Sequence, residues 1–74
     1  MRCYAVVIER AGDGGYGGYV PDLPGCGVCG YATAAEAKAA LAEAVDLHLA
    51  GMIEDGETIP EPTTQADYVT VATA

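Results

Sequence analysis

The sequence predicts a single α+β domain with the element order βββαβ, in which one long helix packs on one face of a mostly antiparallel sheet. Three observations predict it: two strand-prone runs flank a glycine-rich stretch, a long proline-free stretch follows, and a β-branched run lies near the C-terminus. A helix that packs on one face of a sheet buries the apolar surfaces of both elements, and this two-layer arrangement is common. The 74 residues leave room for one domain, residues 1–74.

The first half of the chain predicts a β-hairpin followed by a third strand. Residues 3–9 are apolar, aromatic or β-branched, which favours a strand. Residues 10–18 contain five glycines, which are typical of a hairpin loop because glycine adopts positive φ without steric cost. Residues 21–25 hold two prolines and predict an ordered turn, and residues 26–31 predict the third strand. The second strand is predicted from Tyr16, Tyr19 and Val20.

The second half predicts one helix and a last strand. Thr33 and Glu36 have the spacing of a capping box, in which the hydroxyl accepts a hydrogen bond from the N–H three residues later. Residues 34–53 contain no proline, and Gly56 predicts the stop. The alternating run Tyr68–Val71 predicts the fourth strand. The apolar stripe of the helix comprises Ala37, Leu41, Ala44, Val45, His48, Leu49 and Met52.

The charge of the chain limits its partners. Eleven acidic residues against three basic ones give a net charge of −8. Nucleic acids and anionic membranes should repel such a chain, because binding to phosphate needs clustered Lys and Arg. A basic protein is the natural complement, although acidity that serves only solubility is an equal alternative. No leader or membrane-spanning run is visible, so we expect a cytoplasmic protein.

The three cysteines and the single histidine predict neither a cofactor nor a metal site. Cys26 and Cys29 form a lone CxxC, whereas a structural zinc needs four ligands. Cys3 and His48 could complete a set only if the fold brought separate elements together. We interpret the cysteines as reduced thiols and His48 as a packed residue of the helix.

The carboxylates predict no catalytic site. The glycines at 12–18 lead into a strand, whereas a phosphate-binding loop leads into a helix. Acid–base catalysis needs two carboxylates in unlike environments, and no pair is placed so by the sequence. We therefore predict that the chain is not an enzyme. A residual metal-dependent nuclease using Asp22 and Glu36 is the alternative that a nuclease assay would test.

Several segments in the right order resemble the N-terminal domain of HicB antitoxins. That family typically has an aromatic residue followed by x-Pro-Asp-Leu-Pro-Gly-Cys, and then a glycine. A Thr-capped helix that contains Glu-Ala follows, and it ends with a Leu-x-Leu-x-Gly segment. Acidic residues and an Ile-Pro-x-Pro segment come after the helix. The corresponding segments here are Tyr19–Cys26, Gly30, Thr33 with Glu36-Ala37, Leu47–Gly51, Glu54–Gly56 and Ile59–Pro62.

The resemblance implies a degenerate RNase H-like fold and a role in binding a small basic HicA-like toxin that cleaves RNA. An antitoxin of this kind masks the toxin's active site by protein–protein contact, which suits an acidic chain. We expect the partner to contact the proline-containing turn and the acidic face of the helix. The predicted partner-binding residues are Tyr19, Pro21, Asp22, Leu23, Pro24, Glu36 and Glu43.

The chain departs from many HicB proteins in one respect. Those proteins carry a C-terminal DNA-binding domain, whereas this sequence stops soon after the predicted last strand. We therefore expect no direct binding to nucleic acid. A homo-oligomer, expected to be a dimer, would have to form through this domain, for example by its strand edges. The alternative function is a stand-alone dimeric regulatory or scaffold domain with another protein partner.

Overall fold

A computed structural model describes residues 2–73 and has the α+β arrangement that the sequence predicts. Three antiparallel strands, β1 (Val7–Arg10), β2 (Tyr16–Tyr19) and β3 (Gly27–Tyr31), form a sheet in the order β1-β2-β3. A single helix, α1 (Ala34–Glu54), packs against all three strands on one face.

The hairpin loop is shorter than the sequence predicts. The turn closes where the N–H of Ala11 donates to the carbonyl oxygen of Gly15 at 2.7 Å. Gly17 and Gly18 lie in β2, so the prediction of a loop extending to Gly18 is wrong. The reason is close packing: a Cβ on Gly18 would meet the carbonyl oxygen of Val7 and would lie 2.9 Å from Cδ1 of Leu41.

The helix begins and ends where its capping residues predict. The hydroxyl of Thr33 accepts a hydrogen bond from the N–H of Glu36 at 3.1 Å, and the carboxylate of Glu36 lies 3.2 Å from the same hydroxyl. At the other end, the N–H of Gly56 donates to the carbonyl oxygen of Ile53, with Gly56 at φ +73°. The N-cap at Thr33 and the stop at Gly56 are confirmed. The second bond of a capping box is not observed, because the Thr33 hydroxyl, and not its N–H, donates to the carboxylate of Glu36.

The core lies between the helix and the end of the sheet that carries the turn after β2. Its fully buried side chains are Leu23 and Leu41, and Val20 is also buried. Residues 3–6 were predicted as part of the first strand but belong to none, because β1 begins only at Val7. The register pairs Val7 with Tyr19, so these residues lie beyond the end of β2.

The fourth strand predicted at Tyr68–Val71 is not formed. We call residues 59–64 the anchor segment and residues 65–73 the arm. The anchor segment contacts the body of the molecule, whereas Tyr68 and Val69 in the arm are 96% and 88% exposed. The molecule is 52 Å long, while a 21-residue helix spans only about 32 Å, so the arm extends past the body. Strand propensity alone does not make a strand, because each strand needs an edge to pair with.

Candidate partner-binding surface

The turn between β2 and β3 is a rigid loop that the core holds from below. The N–H of Leu23 donates to the carbonyl oxygen of Val20 at 3.0 Å, and the N–H of Cys26 donates to that of Leu23 at 3.0 Å. Leu23 is 1% exposed, and Gly25 has a φ of +83° that side chains disfavour. The buried leucine and the closed backbone therefore present Pro24 at the surface in one conformation.

Asp22 ties this turn to the anchor segment. Its Oδ2 atom accepts hydrogen bonds from the N–H groups of Thr63 and Thr64, both at 2.9 Å. Its Oδ1 atom accepts from the hydroxyls of the same two threonines, at 3.1 and 2.7 Å. These bonds, above all that from the Thr64 N–H, lower the pKa of Asp22 from 3.8 to about 2, against a smaller opposing effect of burial. The carboxylate is thus occupied within the chain.

A groove separates the turn from the C-terminal half of α1. It has a volume of about 570 Å³, and we call it the turn–helix groove. Leu47 is 76% exposed on its helical wall, and Gly51 leaves open space where a side chain would stand. Leucine, methionine and proline side chains on its lining offer apolar surface to a partner. The lining residues are Leu23, Pro24, Leu47, His48, Gly51, Met52, Asp55, Glu57 and Pro60.

Negative charge is concentrated at the end of this groove that lies next to the C-terminus of α1. Glu54, Asp55 and Glu57 lie close together there, and the last turn of α1 (Ala34–Glu54, all described) contains no basic residue. The negative end of the helix dipole lies at the same place. The groove therefore combines an apolar floor with an anionic rim, which suits a cationic side chain that carries an apolar stem.

The structure divides the seven predicted partner-binding residues into two groups. Tyr19, Pro21, Leu23 and Pro24 line one shallow groove of about 450 Å³ beside the turn, and Asp22 lies among them. Glu36 and Glu43 are exposed on the first half of α1. Glu36 lies 15 residues before Gly51, which is about 22 Å along the helix axis. Glu36 is therefore far from the turn, whereas Glu43 lies one helical turn before Leu47.

Two of the residues at the turn hold the structure instead of presenting a side chain. Leu23 was predicted to contact a partner; its side chain is buried in the core, and the contact stays a prediction. Asp22 is engaged by Thr63 and Thr64. Tyr19, which is 45% exposed, and Pro24 remain available on the surface.

The sequence reasoning missed the helical wall of the turn–helix groove. Leu47 lies outside the apolar stripe of the helix, next to positions that carry charge, and an isolated large apolar residue there could have indicated a contact site. Asp55 was read only as part of the helix stop, and Glu57 was not singled out. Their position beside Pro24 and Pro60 depends on the chain returning past the turn, which no local pattern reveals.

The cysteines and the histidine lie apart. Cys26 is buried, and burial raises the pKa of its thiol, whereas Cys29 is exposed. Cys26 lies just before β3 and Cys29 within it, and their odd spacing of three positions sends the two side chains to opposite faces. His48 is half-buried on the wall of the turn–helix groove. Across residues 2–73, no three side chains of His, Cys, Asp or Glu converge in a way that could hold a metal ion.

A second groove, of about 590 Å³, crosses the open face of the sheet over Gly17. Glu9 and Asp13 line it together with Arg10, so its charges partly cancel. It therefore attracts a basic partner less selectively than the turn–helix groove.

Comparison with known proteins identifies the family of the chain. Within residues 2–73, no helix is long and apolar enough to cross a membrane. The chain has no significant match among curated proteins, and none among solved structures. Residues 4–72 match the sequence model of a family described as "HicB_like antitoxin of bacterial toxin-antitoxin system". This match covers the turn, the helix, the anchor segment and almost all of the arm. The chain belongs to the HicB-like antitoxin family.

Proposed function

We propose that this protein neutralises a small basic HicA-like RNase toxin by binding it and masking its RNA-cleaving surface. The family is that of antitoxins, which implies a toxin partner. An RNase that acts on a polyanion needs a positively charged surface. A protein of net charge −8 complements that surface and competes with RNA for it.

The observation that carries this proposal is the turn–helix groove with its anionic rim. Its apolar residues Pro24, Leu47 and Met52 supply contact area, and the carboxylates of Asp55 and Glu57 supply charge beside that area. Binding hot spots have this composition, with an apolar centre and charged groups at the edge. A specific interface buries about 800 Å² on each partner, so the contact extends beyond the groove.

We assign the adjoining contact area to the outer side of the turn. Tyr19, Pro21 and Pro24 line the neighbouring shallow groove, and an exposed tyrosine provides aromatic area at low cost in side-chain entropy. Leu23 and Asp22 act indirectly by holding the turn. Glu36 lies 11 residues before Leu47, about 16 Å along the helix and beyond the screening length of about 8 Å at physiological salt, so it acts chiefly on the rate of encounter at low salt. Glu43 lies one helical turn before Leu47 and adds negative charge beside the groove.

The test uses the small basic protein encoded next to the gene of this chain. The two proteins are purified together, the dissociation constant is measured by calorimetry, and RNA cleavage by the partner is followed with and without this protein. We expect a stable complex and loss of cleavage at stoichiometric antitoxin. Absence of a complex at micromolar concentrations, or cleavage that continues within the complex, would contradict the proposal.

Matched charge reversals locate the interface. Glu57→Lys lies on the rim of the groove, and Glu36→Lys makes the same charge change on the distant half of the helix. We expect Glu57→Lys to weaken binding about tenfold or more at physiological salt, because it places a like charge against the basic partner inside the contact. Glu36→Lys should mainly slow association at low salt. Because Glu36 also caps the helix, its urea unfolding is measured as well. Equal losses of binding at Glu57 and Glu36 would reject the groove as the contact site.

The nuclease alternative finds no support in the arrangement of Asp22 and Glu36. Asp22 lies at the end of the sheet that carries the turn, whereas Glu36 lies in the first turn of α1. The two carboxylates therefore do not approach the same reacting atom. The second alternative, a stand-alone dimeric regulatory domain, draws on the exposed arm, whose role is argued next.

A further inference from the structure

We propose that the arm of one protomer pairs as a fourth strand with the sheet edge of a second copy, so that two chains exchange arms. This inference is independent of the toxin-binding proposal. It starts from two strand-prone segments that are both unpaired in residues 2–73. Residues 3–6 precede β1 and join no strand, and Tyr68–Val71 lies exposed in the arm.

A groove lies along the first of these segments. It has a volume of about 330 Å³ and runs between the start of the chain and the flank of α1. Its lining residues are Arg2, Tyr4, Val6, Lys38, Ala42, Val45 and Asp46. Arg2, Tyr4 and Val6 alternate along the chain, so they share one face, the face that the helix covers. Because β1 is an edge strand, one more strand beside it would lay its inward side chains into this groove.

The arm has the pattern that such a strand requires. Asp67, Val69 and Val71 would share one face, with Tyr68 and Thr70 on the other. Val69 and Val71 supply β-branched apolar side chains for the surface formed by Tyr4, Val6 and Val45. Asp67 complements the charge of the groove, since Arg2 and Lys38 are two of the three basic residues of the chain. Asp46 is the one acid on its lining.

We assign the arm to a second copy because the anchor segment is fixed to the body and the arm that follows it is still exposed. The hydroxyl of Tyr4 donates to the carbonyl oxygen of Pro60 at 2.5 Å, and Arg2 pairs with Glu61 at 3.2 Å. The chain then reaches Asp22, in the turn after β2, whose carboxylate accepts hydrogen bonds from Thr63 and Thr64. The arm leaves from that point. The nine residues 65–73 span up to about 30 Å when extended, enough for a strand on a neighbouring protomer.

Reciprocal exchange pairs the arm and the sheet edge of both protomers at once. Each copy contributes one arm and one edge, so a two-fold axis closes the pair and leaves neither element exposed. The main-chain hydrogen bonds of the added strand provide affinity, and Val69 and Val71 provide the register.

The first experiment measures the mass of the full chain alone by sedimentation, with Val69→Asp and Leu47→Lys as matched variants. Val69 is 88% exposed, so an acid there does not disturb the protomer, but an inward carboxylate blocks strand addition. We expect a dimer for the wild type and for Leu47→Lys. We expect Val69→Asp to weaken the dimer about tenfold or more. A wild type that is monomeric at roughly 100 μM, or a Val69→Asp protein that stays dimeric, overturns the proposal.

The second experiment detects whose edge the arm contacts. Cys3 is an exposed thiol on the segment before β1, and it faces the side opposite Tyr4. In a Cys29→Ser background, Tyr68→Cys and Thr70→Cys place a thiol on the outward face of the arm, and Glu57→Cys is the control. Mild oxidation should give a covalent dimer from at least one arm variant and little from the control. A disulfide that forms only within one chain shows that the arm folds back on its own body and overturns the proposal.

The two proposals fail separately. Leu47→Lys should impair toxin binding and leave the dimer intact, whereas Val69→Asp should dissociate the dimer and leave the turn–helix groove unchanged. Loss of toxin binding in both variants, with the Leu47→Lys dimer intact, would make the exchanged arm part of the toxin interface. Protection of the arm that requires the toxin would overturn exchange between copies.

Discussion

Leu41 and Tyr68 represent the two extremes of side-chain burial in the described part of this molecule. Leu41 is fully buried under the sheet, where it packs with Val20 and Leu23. Tyr68, in the arm, is 96% exposed. Between them, the anchor segment is attached by polar contacts, from Asp22, Tyr4 and Arg2. Apolar burial therefore holds the body, and hydrogen bonds at the surface hold the C-terminal segment.

This difference indicates that the two regions should respond to different perturbations. Burial of apolar side chains is the dominant stabilising term in a small domain, and exposed polar contacts contribute little to global unfolding. Changes in the body should alter the free energy of unfolding. Changes in the anchor segment should release the arm while the body stays folded, as expected of a local opening.

Truncation of the core gives the largest expected effect. Leu41→Ala removes a fully buried side chain and should lower the free energy of unfolding by about 2–5 kcal/mol. Leu47→Ala makes the same chemical change at a side chain that is 76% exposed and should stay within about 0.5 kcal/mol of the wild type. Urea unfolding followed by circular dichroism measures both. Similar losses would mean that the core is not where the structure has it.

A glycine in the centre of the sheet gives the next effect. Gly18→Ala would bring Cβ against the carbonyl oxygen of Val7 and within 2.9 Å of Leu41, so strand and helix must separate. We expect a loss of about 1–3 kcal/mol in the same unfolding measurement. Gly12→Ala is the control, because a Cβ there meets nothing within 4 Å. A neutral Gly18→Ala would show that the helix packs more loosely on β2.

The helix cap gives a smaller effect within the body. Thr33→Ala removes the hydroxyl that accepts from the N–H of Glu36 and should cost about 1 kcal/mol in the free energy of unfolding. Thr70→Ala, in the exposed arm, should leave the unfolding of the isolated protomer unchanged when it is measured at low concentration. A loss at Thr70 equal to that at Thr33 would contradict the division between body and arm.

The anchor gives the smallest global effect and the clearest local one. Asp22→Ala removes the acceptor of four hydrogen bonds and should lower the hydrogen-exchange protection of the Thr63 and Thr64 amides about tenfold, while amides in α1 keep theirs. Asp67→Ala is the matched control, since that carboxylate accepts only from its neighbour Tyr68 among the bonds seen here. Loss of helix protection in Asp22→Ala would show that anchor and body unfold together.

The same contact has a defined dependence on pH. The pKa of Asp22 is lowered from 3.8 to about 2, because the threonine donors favour the ionised form. A lowered carboxyl pKa stabilises the anchored state fully above pH 3.8. That contribution is lost as the pH falls from 3.8 towards 2. The chemical shifts of the Thr63 and Thr64 amides should report this change in an NMR titration, and it should be missing in Asp22→Ala.

Local chemistry made the helix and the turn predictable. The capping residues Thr33, Glu36 and Gly56 form hydrogen bonds with residues only a few positions away. The bounds of α1 therefore agree with the capping signals. The hairpin was predictable in kind but not in length. Gly17 and Gly18 have the composition of a loop, yet they lie in β2 because the sheet and helix approach closely there. That constraint comes from Leu41 and Val28, which are distant in sequence.

The candidate site was predicted only in part, for a similar reason. The turn at Pro21–Gly25 was recognised from its own residues. The partners of Asp22 lie 41 and 42 residues later in the chain, and no local pattern connects them to it. Leu23 was expected to contact a partner from the family resemblance, whereas tertiary packing buries its side chain.

The sequence by itself determined the α+β class, the helix with its caps, the turn and the strong negative charge. These depend on composition and on interactions between residues a few positions apart. Only the tertiary structure decided which side chains of the turn are free, where the anionic rim meets an apolar floor, and that Tyr68–Val71 is left without a strand partner within the described chain. Each of these depends on which distant segment comes to lie beside a residue, and side-chain propensity does not encode that neighbour.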